Sequence, residues 1–139
     1  MSLFVLDTDI LSLYEAGNPV VCSRCQSTPA EDLTITVISV EEQLSGWYVL
    51  LRRAKNDEQL AWVYERLERT IRFIANLHIL QFSRSAIARS ERLRGQRLRI
   101  GTNDLRIAAI TLEAGGILVT RNTRDFSRIP GLALEDWSV

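Results

Sequence analysis

At 139 residues, with 46% hydrophobic and 24% charged side chains, the chain is expected to fold around one core, and no apolar run nears the roughly 20 residues that cross a bilayer. Seventeen basic residues offset seventeen acidic ones, which excludes the global positive field of a general nucleic-acid binder. The amino terminus runs straight into Leu3-Phe4-Val5-Leu6 with no basic leader, so a cytoplasmic location is expected.

Short apolar runs alternate with longer stretches of helical period, the pattern of βα repetition and a mostly parallel sheet. Leu3–Leu6 reads as a strand, and a helix of about two turns follows from Thr8 to Glu15, ended by Gly17-Asn18-Pro19. A second helix starts near Pro19 and carries Cys22 and Cys25. Their spacing suits a redox pair or half a zinc site, but only His78 remains to join them, so the cysteines are expected to be structural. The strand Leu33–Ile38 feeds a helix from about Val40 to Arg53, with Asn56-Asp57 as the break. Leu60, Val63, Tyr64, Leu67, Ile71 and Ile74 recur at three- and four-residue steps and mark a long amphipathic helix.

A strand from His78 to Gln81 comes next, with His78 expected to be structural, and Ser83 or Ser85 caps a helix that ends near Gly95. Six arginines (Arg84, Arg89, Arg92, Arg94, Arg97 and Arg99) crowd this stretch. Two readings stand: a patch that grips RNA phosphates, with Arg89, Arg92 and Arg99 as candidate contacts, or a solvated helix face. Gly101-Thr102 opens another helix, whose Leu105, Ile107, Ala108, Ile110 and Leu112 are too apolar for a surface position; it packs deep against the sheet until Gly115-Gly116 stops it. A strand from Ile117 to Thr120, a helical turn from Thr123 to Arg128 and a last strand from Leu132 to Leu134 complete the chain, without repeat or linker.

Four carboxylates stand at or just past the ends of these segments. Asp7 follows the first strand, Glu42 the second and Asp125 the strand at Ile117, while Asp104 lies in the first turn of the buried helix. Each alone has a structural explanation: Ser39-Val40-Glu41-Glu42 reads as a capping box, and Asp7, Asp104 and Asp125 favour helix amino ends. Capping does not explain their joint arrangement. Ligands of open α/β sheets bind outside the carboxyl ends of the strands, and crowded carboxylates take up protons unless a cation neutralises them. An all-oxygen set selects a hard ion, Mg²⁺ or Mn²⁺.

Four stretches carry a family resemblance that spans nearly the whole length: Val5-Leu6-Asp7-Thr8-Asp9, Ile38-Ser39-Val40-Glu41-Glu42-Gln43-Leu44-Ser45-Gly46, Ile100-Gly101-Thr102-Asn103-Asp104-Leu105-Arg106-Ile107-Ala108-Ala109 and Val119-Thr120-Arg121-Asn122-Thr123-Arg124-Asp125-Phe126. In order and spacing the chain resembles PIN-domain ribonucleases, most closely the VapC-type toxins of toxin–antitoxin pairs. The resemblance implies a single PIN domain over residues 1–139: a three-layer α/β/α domain with a central, mostly parallel sheet of four to five strands. It implies a metal-dependent endoribonuclease with Asp7, Glu42, Asp104 and Asp125 as catalytic metal ligands. Glu41 competes with Glu42, and Asn122 with Asp125 for the fourth place. Thr8, Asp9, Thr102, Asn103, Thr120 and Asn122 are candidates to hold the ligands or metal-bound water in position.

The implied reaction is hydrolysis of an RNA phosphodiester with Mg²⁺ or Mn²⁺ as cofactor, by one ion or two. The implied partners are an RNA substrate, a small antitoxin protein and a second copy of the chain as a homodimer. Trp47, Tyr48, Trp62 and Tyr64 serve either antitoxin contacts or the core. Two rivals remain. Leu6-Asp7-Thr8-Asp9 also fits a haloacid dehalogenase-like phosphotransferase, with Asp7 as nucleophile and Asp9 as general acid, although Lys55 is the sole lysine available to it. The other rival is a non-catalytic binding module that keeps the fold and the caps.

Overall fold

Local signals set the start of the molecule. In the computed structural model, which describes residues 2–139, strand β1 (Phe4–Leu6) ends at Asp7, whose carboxylate accepts the Ile10 N–H at 2.9 Å and so caps helix α1 (Thr8–Glu15). Asn18 caps helix α2 (Pro19–Gln26) through the N–H groups of Val20 and Val21, with Pro19 at the first helical position where its missing N–H costs nothing. A 3₁₀ turn leads into β2 (Leu33–Thr36), and a long antiparallel-connected pair follows, α3 (Val37–Arg53) and α4 (Asp57–Ile74). The chain continues through β3 (His78–Leu80), α5 (Arg84–Gly95), α6 (Thr102–Ala114), β4 (Ile117–Val119), α7 (Thr123–Phe126) and β5 (Ala133–Glu135).

The five strands form one sheet in the order β3-β2-β1-β4-β5, and every pairing is parallel. Alternation along the strands divides the interior between two faces. Val5 and Leu118 point into a cluster with Leu105, Ile107, Ala108 and Phe126, which buries α6 as expected, while Leu6, Ile35 and Val119 pack with Ile10, Val21, Ile74 and Trp137 on the other side. The result is the α/β/α layering and parallel sheet that the sequence implies. Helix α6 ends where Gly115 turns into the left-handed region at φ 66°. Gly116 then passes so close to β1 that a Cβ there would lie 3.0 Å from the Leu3 carbonyl oxygen.

Several boundaries differ from the sequence reading by a residue or more. The second strand stops at Thr36 rather than Ile38, because the Thr36 hydroxyl accepts the Ser39 N–H at 3.2 Å and caps α3 there. Ser39 is therefore not a capping residue, and Glu42 sits on the second turn of α3 instead of just past a strand. Helix α4 takes in Asp57, which the sequence reading assigned to the break, since Asn56 caps it through the Gln59 N–H at 2.8 Å. The last strand is shifted by one residue to Ala133–Glu135, its register fixed by the pairing of Val119 with Glu135.

Cys22 and Cys25 are free thiols on α2, and burial pushes Cys25 up to about 12, which makes it an inert packing group. His78 is exposed on the edge strand β3. Trp47 is half-buried, whereas Tyr48, Trp62 and Tyr64 are exposed and so lie outside the core. No helix is long and apolar enough to cross a membrane among the described residues.

Candidate active site

From β1 the chain moves outward through β2 and β3 on one side, and β4 and β5 occupy the other, so the sheet switches direction between β1 and β4. A crevice opens beyond the carboxyl ends of strands at such a point. Asp7 stands in it. Its N–H bonds to the Val119 carbonyl at 3.0 Å, extending the ladder one residue past β1 and fixing the backbone. Its carboxylate takes the Ile10 N–H and a hydrogen bond from the Thr120 hydroxyl, while Thr120 accepts the Asn122 N–H at 2.9 Å.

Only 7% of Asp7 is exposed. Burial outweighs those hydrogen bonds and, with Asp9 and Asp104 adding repulsion, raises Asp7 from 3.8 to about 6. Asp104, in the first turn of α6, is also raised, first by burial and then by Glu42 and Asp125. Glu42 accepts the Thr8 hydroxyl at 2.6 Å. Thr8 has one proton to give, so Ser39, 2.9 Å away, donates to Thr8 in turn. Glu41 is exposed, which leaves Glu42 as the member of that pair facing the site.

Asp7, Glu42 and Asp104 line a cavity of about 370 Å³, together with Thr8, Asp9, Arg121, Asn122 and Phe126. Asp125 does not line it. One Asp125 oxygen accepts the Asn122 side-chain amide at 3.0 Å and the other lies 3.4 Å from Arg128, so it holds Asn122, which does face the cavity. Of the remaining candidates, Thr120 reaches Asp7 through its hydroxyl, whereas Thr102 is exposed and Asn103 half-buried, both outside the cavity lining. The carboxylates share one cavity without closing on a point: among the described residues, no three Asp, Glu, His or Cys side chains stand ready to hold an ion. Uncompensated like charge favours that spacing.

Sequence reasoning passed over Arg121. Its guanidinium meets Asp9 at 2.7 Å on the cavity rim. The available signal was its place directly after Thr120 at the end of β4. Arg89 is engaged by Glu113 at 2.6 Å, and neither it nor the exposed Arg92 and Arg99 lines the acidic cavity. A larger hollow of about 520 Å³ between α3 and α4, walled by Leu50, Trp62 and Val63, lacks such a carboxylate set.

No family model matches the chain. A tRNA(fMet)-specific endonuclease VapC from Shigella flexneri is 34% identical over 142 residues, spanning 99% of this chain and 100% of that protein. The chain belongs to the VapC family of PIN-domain toxins. Ribonuclease VapC1 of Haemophilus influenzae (strain R2866) is 29% identical across 98% of both proteins. The fold of the family is matched in three dimensions as well: the DNA-bound VapBC structure from Salmonella typhimurium aligns with a TM-score of 0.78 and 26% identity, covering 99% of each chain.

Proposed function

We propose that this VapC-family ribonuclease is the toxin of a toxin–antitoxin pair and cuts RNA phosphodiesters in a divalent-ion-dependent reaction. The observation that carries the reading is the cavity into which Asp7, Glu42 and Asp104 project while Asp7 and Asp104 are held above the ordinary carboxylate range. Such groups gain most from a cation, and their oxygens match the hard donors that Mg²⁺ and Mn²⁺ prefer. Asp7, Glu42 and Asp104 would hold the ion, with Asn122, held in place by Asp125, as the fourth contributor. An ion held by these residues would supply charge neutralisation at the phosphodiester and lower the pKa of an attacking water.

The chain's own residues do the positioning. Thr120 and the Ile10 N–H orient Asp7, the Ser39–Thr8 relay orients Glu42, and Arg128 steadies Asp125, which in turn sets Asn122. The phosphotransferase reading gains nothing: Lys55 lies between α3 and α4 outside the cavity lining, and Asp9, its general acid, is ion-paired with Arg121. The whole of residues 1–139 acts as one PIN domain, cytoplasmic, pairing as a homodimer and silenced by a small antitoxin.

Total cellular RNA incubated with the protein in Mg²⁺, Mn²⁺ or EDTA, beside Asp104→Asn, tests the proposal. New RNA ends should appear with either ion and be absent with EDTA or the variant. Equal cleavage in EDTA defeats the metal assignment, and a chain that binds no divalent ion in titration calorimetry is the non-catalytic module instead.

A further inference from the structure

The acidic cavity does not end at Glu42. A second hollow of about 320 Å³ shares Thr8 and Glu42 with it and adds Ser12, Gln43 and Trp47. Those three residues also line a third hollow of about 270 Å³, whose far wall is Glu15, Arg66 and Arg69. The three form one trough over α1, α3 and α4. Thr8 to Glu15 is seven helical steps of roughly 1.5 Å, so the trough runs about 10 Å from the acids, on the order of three stacked nucleotides at roughly 3.4 Å each.

Its chemistry changes along that length. The acidic end suits a cation; the far end carries two guanidiniums and the Trp47 indole. The Trp47 ring N–H donates to Thr70 at 2.9 Å, and the Thr70 hydroxyl donates to Glu15 at 2.8 Å, which fixes the indole and engages one oxygen of the carboxylate on that wall. Arg66 lies 5.5 Å from the Trp62 ring and 5.9 Å from the Trp47 ring, within cation–π range of both. Among the described residues neither Arg66 nor Arg69 forms an ion pair, whereas Arg89 and Arg94 of the arginine-rich helix α5 do, and no α5 arginine lines the trough.

We propose that this trough is the path of the RNA strand beside the cleaved bond, with Arg66 and Arg69 gripping its phosphates and the Trp47 ring flanking an unpaired base. The assignment rests on the ribonuclease reading above and moves the RNA contacts away from α5. Continuity with the acids and charge complementarity favour a nucleic-acid strand over a protein segment.

The test is binding of a short fluorescent single-stranded RNA, titrated with salt in Mg²⁺ on the Asp104→Asn background so that the strand stays whole. Adding Arg66→Gln and Arg69→Gln should weaken binding about tenfold or more and flatten the log–log salt slope by about 1.4, roughly 0.7 per lost phosphate contact. Lysine at both positions should restore most of the slope, and an unchanged melting temperature excludes a folding artefact. An unaltered affinity and slope in the glutamine variant overturns the proposal. So does a variant that binds RNA normally but no longer copurifies with its antitoxin, because the trough is then a protein groove. RNA binding that depends on Arg66 and Arg69 in a chain that cuts nothing supports the trough and defeats the nuclease reading, so the two failures separate.

Discussion

Asp7 concentrates the conflict between stability and function in one side chain. Folded, it keeps its proton up to about pH 6, while the unfolded chain releases it near 3.8. Its contribution to stability is therefore fully present below pH 3.8 and lost as pH rises through about 6, a difference on the order of 3 kcal/mol. Thermal melts in EDTA should show the metal-free protein losing stability across that window. Asp7→Asn keeps an acceptor for the Ile10 N–H and removes the buried charge, so at neutral pH it should melt several degrees higher than the wild type in EDTA while cutting no RNA. A lower melting temperature would mean that the carboxylate does more for the fold than burial takes away. Asp104→Asn should cost more than the roughly 10–100-fold that changes outside the ligand shell produce, with circular dichroism unchanged.

At the scale of elements, the site depends on how closely two strands approach. A Cβ at Gly116 would press on the Leu3 carbonyl and the Val5 side chain, and backbone cannot swing aside as a flexible side chain can. Gly116→Ala should therefore lower stability by about 1–3 kcal/mol in denaturant titration and displace β1, which carries Asp7. The α3 cap offers a second check: Thr36→Ala should cost about 1 kcal/mol, by loss of the bond to the Ser39 N–H. What the sequence disclosed follows the reach of each interaction. Two local caps, Asp7 to Ile10 and Ser83 to Ala86, were readable, as were the positions of Asp7 and Asp104 relative to their strand and helix. The end of β2 was not, because Val37-Ile38 prolong the apolar run while the Thr36 cap overrides it. Nor was the grip of Arg121 on Asp9, whose partners are 112 residues apart, or the engagement of Asp125 by Asn122 and Arg128, which depends on side-chain direction.

For the whole molecule, a cation that binds only the folded site should raise the melting temperature in proportion to the logarithm of its concentration, by about 2.7 kcal/mol of stability at a hundred times Kd. Asp104→Asn should blunt that response, and an identical response in the variant would locate the ion elsewhere. The position of β1 has a further consequence. It lies between β2 and β4, and Asp7 needs the Val119 carbonyl and the Thr120 hydroxyl beside it. Those groups are made more than a hundred residues after Asp7. During translation, therefore, the proposed cutting pocket cannot close until β4 has emerged and docked beside β1.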